Sequence, residues 1–189
     1  MKQNAKRILI IGLFLFAMII ILRGDIYRSL VKYQSINQRE DYYWKSGQLV
    51  VRILRSPEIT KDSLTVDEII DASLKITSRN LQFTTGTCEV DPNKLIVTQR
   101  TNCIGYAAFY STACNLLLYK CGLSENYHAT SQVGHLFLLG FNIHKFTTNP
   151  LFKDHDFVII KNKVTGEERS VDPSIHDYLG IKEIKLKTE

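Results

Sequence analysis

The sequence predicts an α+β domain, a central helix packed on an antiparallel sheet, carried behind an N-terminal membrane helix. Three observations lead there. A charge-free run opens the chain, two helical stripes follow it, and short β-branched segments separated by turn residues fill the last third. A chain of 189 residues has room for one domain of ordinary size plus an appendage.

The appendage is Ile8 to Leu22, ILIIGLFLFAMIIIL, which is 15 residues without a charge. Lys2, Lys6 and Arg7 precede it and Arg23 closes it. A spanning helix needs about 20 apolar residues, and the stems of Lys6, Arg7 and Arg23 can reach headgroups from its ends. A secretory signal has the same layout, but no A-x-A-like cleavage site follows Leu22, so an uncleaved single-pass anchor over 1–23 is expected. The net charge is +5; taking those four cations from the 24 lysines and arginines leaves 20, against 19 acids. No basic face remains for nucleic acid. Cations before the run favour a cytoplasmic N-terminus with the domain extracytoplasmic, a bias that Arg23, Arg28 and Lys32 weaken from the other side.

Residues 24–60 read as a membrane-proximal helix or linker and entry segment. Within them QLVVRIL, 48–54, is a strand-like or short helical run that Pro57 ends. The domain proper is expected over 61–189. Ser63 or Thr65 can cap a helix over about 65–79, with Val66, Ile69, Ile70 and Leu74 on one stripe. A loop broken by Gly86, Asp91 and Pro92 follows, and then TNCIGYAAFYSTACNLLLYKCG, 101–122, reads as a buried helix capped by Thr101 or Asn102 and stopped by Gly122. After it, ATSQV, HLFLLGF, HDFVIIKN and ERSVDPS read as strands.

Three of the four cysteines lie on that second helix. Cys103, Ala107, Tyr110, Cys114, Leu117 and Cys121 form one stripe. At the helical rise, Cys103 and Cys114 are roughly 16 Å apart and Cys114 and Cys121 roughly 10 Å, beyond the ~7 Å a disulfide tolerates. No CxxC pair or histidine at zinc-site spacing accompanies them, so neither a metal nor a cofactor is expected. Cys114 and Cys121 read as small buried hydrophobes. Cys103 differs because it sits in the first turn, where free N–H groups and the helix dipole favour a thiolate.

A nucleophilic thiol needs a base, and the base needs a group to hold its tautomer. His155 opens an apolar strand, with Phe157 and Ile159 on its own face. A hairpin turning within 163–166 sets His155 opposite residues 172 to 176, and Asp172 falls at the edge of that window. Paired or diagonal side chains there are about 5–8 Å apart at Cβ, within reach of an imidazole–carboxylate hydrogen bond. His135 is the substitute base, and His176 with Asp177 could line the cleft.

A cysteine heading a long buried helix that ends near CGL, a histidine opening a strand, and DPS on the next strand resemble the transglutaminase-like superfamily of papain-fold cysteine enzymes. The resemblance covers roughly 65 to 176. It implies a papain-like core with Cys103 as nucleophile, His155 as general base and acid, and Asp172 as orienter. Where that family often has a small residue and Trp after the histidine, this chain has Asp156 and Phe157; where it often has a Gly-polar pair before the cysteine, this chain has Thr101 and Asn102. The implied activity is amide hydrolysis on a peptide or protein substrate through a thioester. Two rivals are a catalytically silent scaffold at the membrane and a redox thiol protein using Cys88 and Cys103. For the oxyanion, the Cys103 N–H is one donor, and Asn102, Gln99, Gln82 and Trp44 are candidates for the second.

Overall fold

The computed structural model describes residues 2–146 and 153–187; the side chains of residues 2–5 and of Ile8 lie outside the described set, so the Lys2 flank and the first residue of the apolar run fall there. The chain is α+β with an antiparallel sheet and an N-terminal apolar helix. That helix, α1, runs unbroken from Lys2 to Leu30, past the expected end at residue 23. Its segment Leu9–Leu30 is long and apolar enough to cross a membrane. Arg23, Gly24, Asp25 and Arg28 do not stop it, since a single Gly in a helix costs only about 1 kcal/mol and no Pro is present there.

The chain then enters the sheet at once. β1 (Val31–Gln38) occupies residues expected to be helix or linker. Only Tyr33 is buried on it, so the strand has none of the alternation that would reveal it in sequence. α2 (Gly47–Leu54) resolves the ambiguous apolar run as a helix, with Leu49 and Ile53 buried. α3 (Val66–Asn80) carries a full capping box in which the Thr65 side chain accepts from the Glu68 N–H and the Glu68 carboxylate accepts from the Thr65 N–H. The expected loop after it contains two-residue β2 (Gln82–Phe83), α4 (Pro92–Thr98) and β3 (Arg100–Thr101). Asp91 and Pro92 are not breakers there but the cap and first residue of α4.

α5 (Cys103–Lys120) is the centre of the molecule. From Gly105 to Leu118 every residue but Asn115 is buried, because α3 covers one side and the sheet the other. Asn115 clamps helix to sheet: its amide donates to the Ala129 carbonyl (2.8 Å) and accepts from the Ala129 N–H (2.9 Å). The segments ATSQV and HLFLLGF are mostly one strand, β4 (Tyr127–Leu138). Gly134 lies inside it because a Cβ there would meet the Phe157 ring at 2.5 Å and the Gln34 carbonyl oxygen at 2.8 Å. β5 (Phe141–Asn142) folds back on β4, and a 3-10 turn (Ile143–Phe146) follows.

β6 (His155–Asn162) and β7 (Glu168–Val171) complete a sheet ordered β1-β4-β6-β7. α6 (Pro173–Leu179) takes the rest of the segment expected to be strand. Val158, Ile160 and Val171 pack with α5 into the main core, while Phe157 joins Tyr33 and Ile184 on the opposite face.

Candidate active site

The site forms where α5, β6 and β7 meet. Asn102 caps α5, its side-chain oxygen accepting from the N–H groups of Ile104 (3.1 Å) and Gly105 (3.5 Å). The cap places Cys103 in the first turn, half-buried. Gly105 is required two residues on: a Cβ there would lie 1.9 Å from the Thr101 hydroxyl, which itself donates to the Glu89 carbonyl.

β6 and β7 pair in the register Val158↔Val171. Carried to the strand start, this register sets His155 opposite residue 174, so Asp172 is its diagonal neighbour. The two side chains meet, His155 Nε2 to Asp172 Oδ2, at 2.6 Å. Cys103 lines the same cleft as this ring and lies near enough to act on its charge. The structure thus brings together all three residues singled out in the sequence.

Asp172 divides its two oxygens. Oδ1 caps α6, accepting from Ser174 N–H (3.0 Å), Ser174 Oγ (2.7 Å) and Ile175 N–H (3.1 Å). Oδ2 takes His155 and also the Tyr33 hydroxyl at 2.8 Å. A buried carboxylate is stable only with such partners. Burial pushes its pKa up, but the His155 charge and the bonds from His155, Ser174 and Tyr33 prevail and hold it below the ordinary carboxylate value. Burial likewise pulls the His155 ring down. The charge of Asp172, the bond to it and the nearby Cys103 outweigh this and lift the ring well above the ordinary imidazole value. Tyr33 is kept in its donating form by burial first and by the Asp172 charge second. The Tyr27 hydroxyl of α1 stands 2.6 Å from that of Tyr33.

A cleft of about 510 Å³ opens on Cys103 and His155, with Phe83, Leu136, Ile175 and Tyr178 among its apolar walls. Next to His155 in sequence, Asp156 is fully buried and paired with Arg39 through Nε (2.8 Å) and Nη2 (3.0 Å). Arg39 also lies within electrostatic range of Cys103.

The other candidates lie elsewhere. His135 packs on the ring of His144, 5.4 Å between centroids, and makes no contact with Asp172. His176 does not line the cleft but turns to Ser78 of α3 (3.2 Å), and Asp177 accepts from the Tyr106 hydroxyl (2.6 Å). Trp44 packs on Tyr119 at the far end of α5, and Gln99 lines a separate cleft beside Arg79. Gln82 is exposed on β2. All four cysteines are free, and burial pushes the Cys114 thiol up to about 12, as expected of a structural residue. No group of side chains suited to a metal ion occurs among the described residues.

Tyr33 and Arg39 were invisible in the sequence. Both belong to a polar stretch, and the one available signal was an aromatic residue amid polar neighbours. The fold and site together define an α+β domain, led by an apolar helix, in which a helix-start thiol, an imidazole and a buried carboxylate converge. No family model matches this chain, and no curated protein matches it in sequence.

Proposed function

We propose that this chain is a membrane-anchored cysteine acyl-transfer enzyme of the transglutaminase-like, papain-fold kind, hydrolysing an amide in a peptide or protein on the extracytoplasmic side. The observation that carries the reading is the approach of His155 to Cys103 on one side and to the buried Asp172 on the other. With Nε2 bonded to Asp172, the ring offers Nδ1 to the thiol.

In the reaction, His155 holds the Cys103 proton as an imidazolium and Sγ attacks the amide carbonyl carbon. The carbonyl oxygen becomes an oxyanion facing the N–H of Cys103, which the Asn102 cap leaves free by taking the next two N–H groups. Collapse breaks the C–N bond as His155 returns the proton to the amine, leaving a thioester. Water, deprotonated by His155, attacks the thioester; the acid departs and the thiol regains its proton. Asp172 holds the ring in the required tautomer throughout and supports its positive charge.

The test is Cys103→Ala in the full chain held in detergent micelles. Hydrolysis of fluorogenic peptide amides and labelling by a thiol-directed electrophile at pH 6 are both expected to vanish, with the circular dichroism spectrum unchanged. Equal labelling of the variant would remove Cys103 from the mechanism, and labelling without hydrolysis in the parent would favour a silent scaffold.

A further inference from the structure

Both lips of the cleft are tied to α1. On one side the β4–β5 hairpin is fixed by the Leu139 N–H, which donates to the Leu30 carbonyl at 2.8 Å. On the other, the end of α6 is fixed by Arg23, whose Nε donates to the Leu179 carbonyl at 2.6 Å while Nη1 donates to the Ile20 carbonyl at 2.8 Å. Arg23 is the residue that closes the charge-free run. The end of α6 is therefore held at the depth where that run leaves hydrocarbon. Leu30 is seven residues further along, about 10 Å of helical rise, and ends the segment apolar enough to cross a membrane, so both lips sit where α1 leaves the bilayer.

The lips are apolar and open to solvent. Leu139, Phe141 and Phe146 on the hairpin side are 67%, 68% and 78% exposed, and Tyr178 on the α6 side is 65% exposed. A cluster of this kind beside a catalytic cleft marks a contact surface. Ile143 of the first lip and Tyr178 of the second also line the cleft, so the exposed surface continues into it. Cations accompany it. Lys32 and Lys185 are close enough to act on each other's charge, and Lys187 lies 4.3 Å over the Phe137 ring. Of the nearby acids, Asp25 is paired with Arg28 at 2.6 Å, and Asp154 lines the cleft itself. Apolar and aromatic tips with lysines beside the hairpin lip match the acyl–headgroup boundary of an anionic bilayer.

We infer that these lips seat on the bilayer that holds α1, so that the cleft opens at the lipid surface and takes substrates carried there. The substrate half rests on the hydrolase reading above; the lipid contact does not.

The experiment uses the full chain reconstituted in phosphatidylcholine–phosphatidylglycerol vesicles. Trp44 is the sole tryptophan and lies on Tyr119, sixteen residues from Cys103 along α5 or about 24 Å, which makes it the reference. Phe141→Trp and Tyr178→Trp, each in a Trp44→Phe background, move the indole to either lip. Acyl chains dibrominated near the headgroup are expected to quench both new indoles strongly and Trp44 of the parent little. Equal quenching at all three positions would overturn the inference. So would shielding of position 141 from acrylamide without bromolipid quenching, since that assigns the patch to a second copy of the chain. For the substrate, one fluorogenic peptide amide is compared free in solution and anchored by an acyl chain in the same vesicles. Faster cleavage of the anchored form is expected, and Leu139→Asp/Phe141→Asp should abolish that preference while the free peptide is cleaved as before. Equal cleavage of both forms by the parent would overturn the substrate half. If neither form is cleaved, the hydrolase reading and the substrate half fall together while quenching still decides the lipid contact.

Discussion

Asp172→Asn separates the two tasks of one side chain. The oxygen that caps α6 has three donors aimed at it, so the amide oxygen of the asparagine will occupy that place and the NH2 group will face His155 and Tyr33. The fold can accommodate this. Tyr33 can turn its hydroxyl to Tyr27 and accept from the new amide, and a neutral His155 can accept at Nε2 with its proton on Nδ1. That tautomer cannot take a proton from Cys103. Stability should fall by only about 1.5–3 kcal/mol, the worth of hydrogen bonds to a charge. By contrast kcat/KM should fall by about 10³–10⁴, the cost of a wrong tautomer in such sites. At 1.36 kcal/mol per decade, that is about 4–5.5 kcal/mol of the barrier. The signs for stability differ between the partners. The lowered Asp172 contributes above the ordinary 3.8 and loses its contribution as pH falls through its folded value. The raised His155 contributes below the ordinary 6.5 and loses its contribution as pH rises through its folded value. The gap in Tm between parent and variant should therefore be widest between about 4 and 6.5 and close on both sides. Nitrogen-15 spectra of the histidine rings provide the direct assay, with an imidazolium at neutral pH in the parent and a neutral Nδ1–H ring in the variant. If the variant ring stays charged at neutral pH, or turnover falls less than tenfold, Asp172 does not set the tautomer.

Arg39→Met strips the bidentate partner from the fully buried Asp156. Urea unfolding should show a loss of about 3–5 kcal/mol, largely regained in Arg39→Met/Asp156→Leu, because the penalty is an uncompensated buried charge. Gly134→Ala drives a methyl into the Phe157 ring and the Gln34 carbonyl, and should lower stability by about 1–3 kcal/mol in the same assay. A loss under half of the lower figure would mean that β1 can move away from β4 at no cost.

Helices with their own signals were legible. Thr65 and Asn102 cap α3 and α5 within a residue of the expected starts, since a cap is a local hydrogen bond written in adjacent residues. The juxtaposition of His155 and Asp172 was legible too, because a short hairpin leaves few registers and the observed one lies inside the expected window. What stayed hidden depends on distant partners. Gly134 reads as punctuation, and only the ring of Phe157 from another strand explains its place mid-strand. β1 shows no alternation, for it is an edge strand with one buried side chain. The cleft that Gln99 lines, away from Cys103, follows from α2 and α4 packing together, and Trp44 is held by Tyr119 at the far end of α5; no spacing encodes either.

The hidden strand matters because it carries Tyr33, and Tyr33 links α1 to the site. Its hydroxyl donates to Asp172 Oδ2, so the hydrogen bond it shares with Tyr27 must be one it accepts. The chain of hydroxyls thus runs from the apolar helix to the acid that steadies His155. Tyr33→Phe removes a donor to a buried charge and orphans the Tyr27 hydroxyl, while Tyr27→Phe removes a neutral bond alone. Expected losses in stability are about 1.5–3 kcal/mol for the first and about 0.5–1.5 kcal/mol for the second. Their double variant should cost less than the sum, since the bond they share is counted twice. Tyr33 is among the groups that lower the pKa of Asp172. Its loss should raise that pKa and move the acid limb of kcat/KM to higher pH, which a purely structural side chain would leave in place. Tyr27→Phe should move that limb in the same direction by less, because the Tyr33 hydroxyl becomes a weaker donor once nothing donates to it. An unmoved acid limb in Tyr33→Phe would mean that Asp172 is held by the α6 cap and His155 alone, and that the apolar helix α1 does not influence the chemistry.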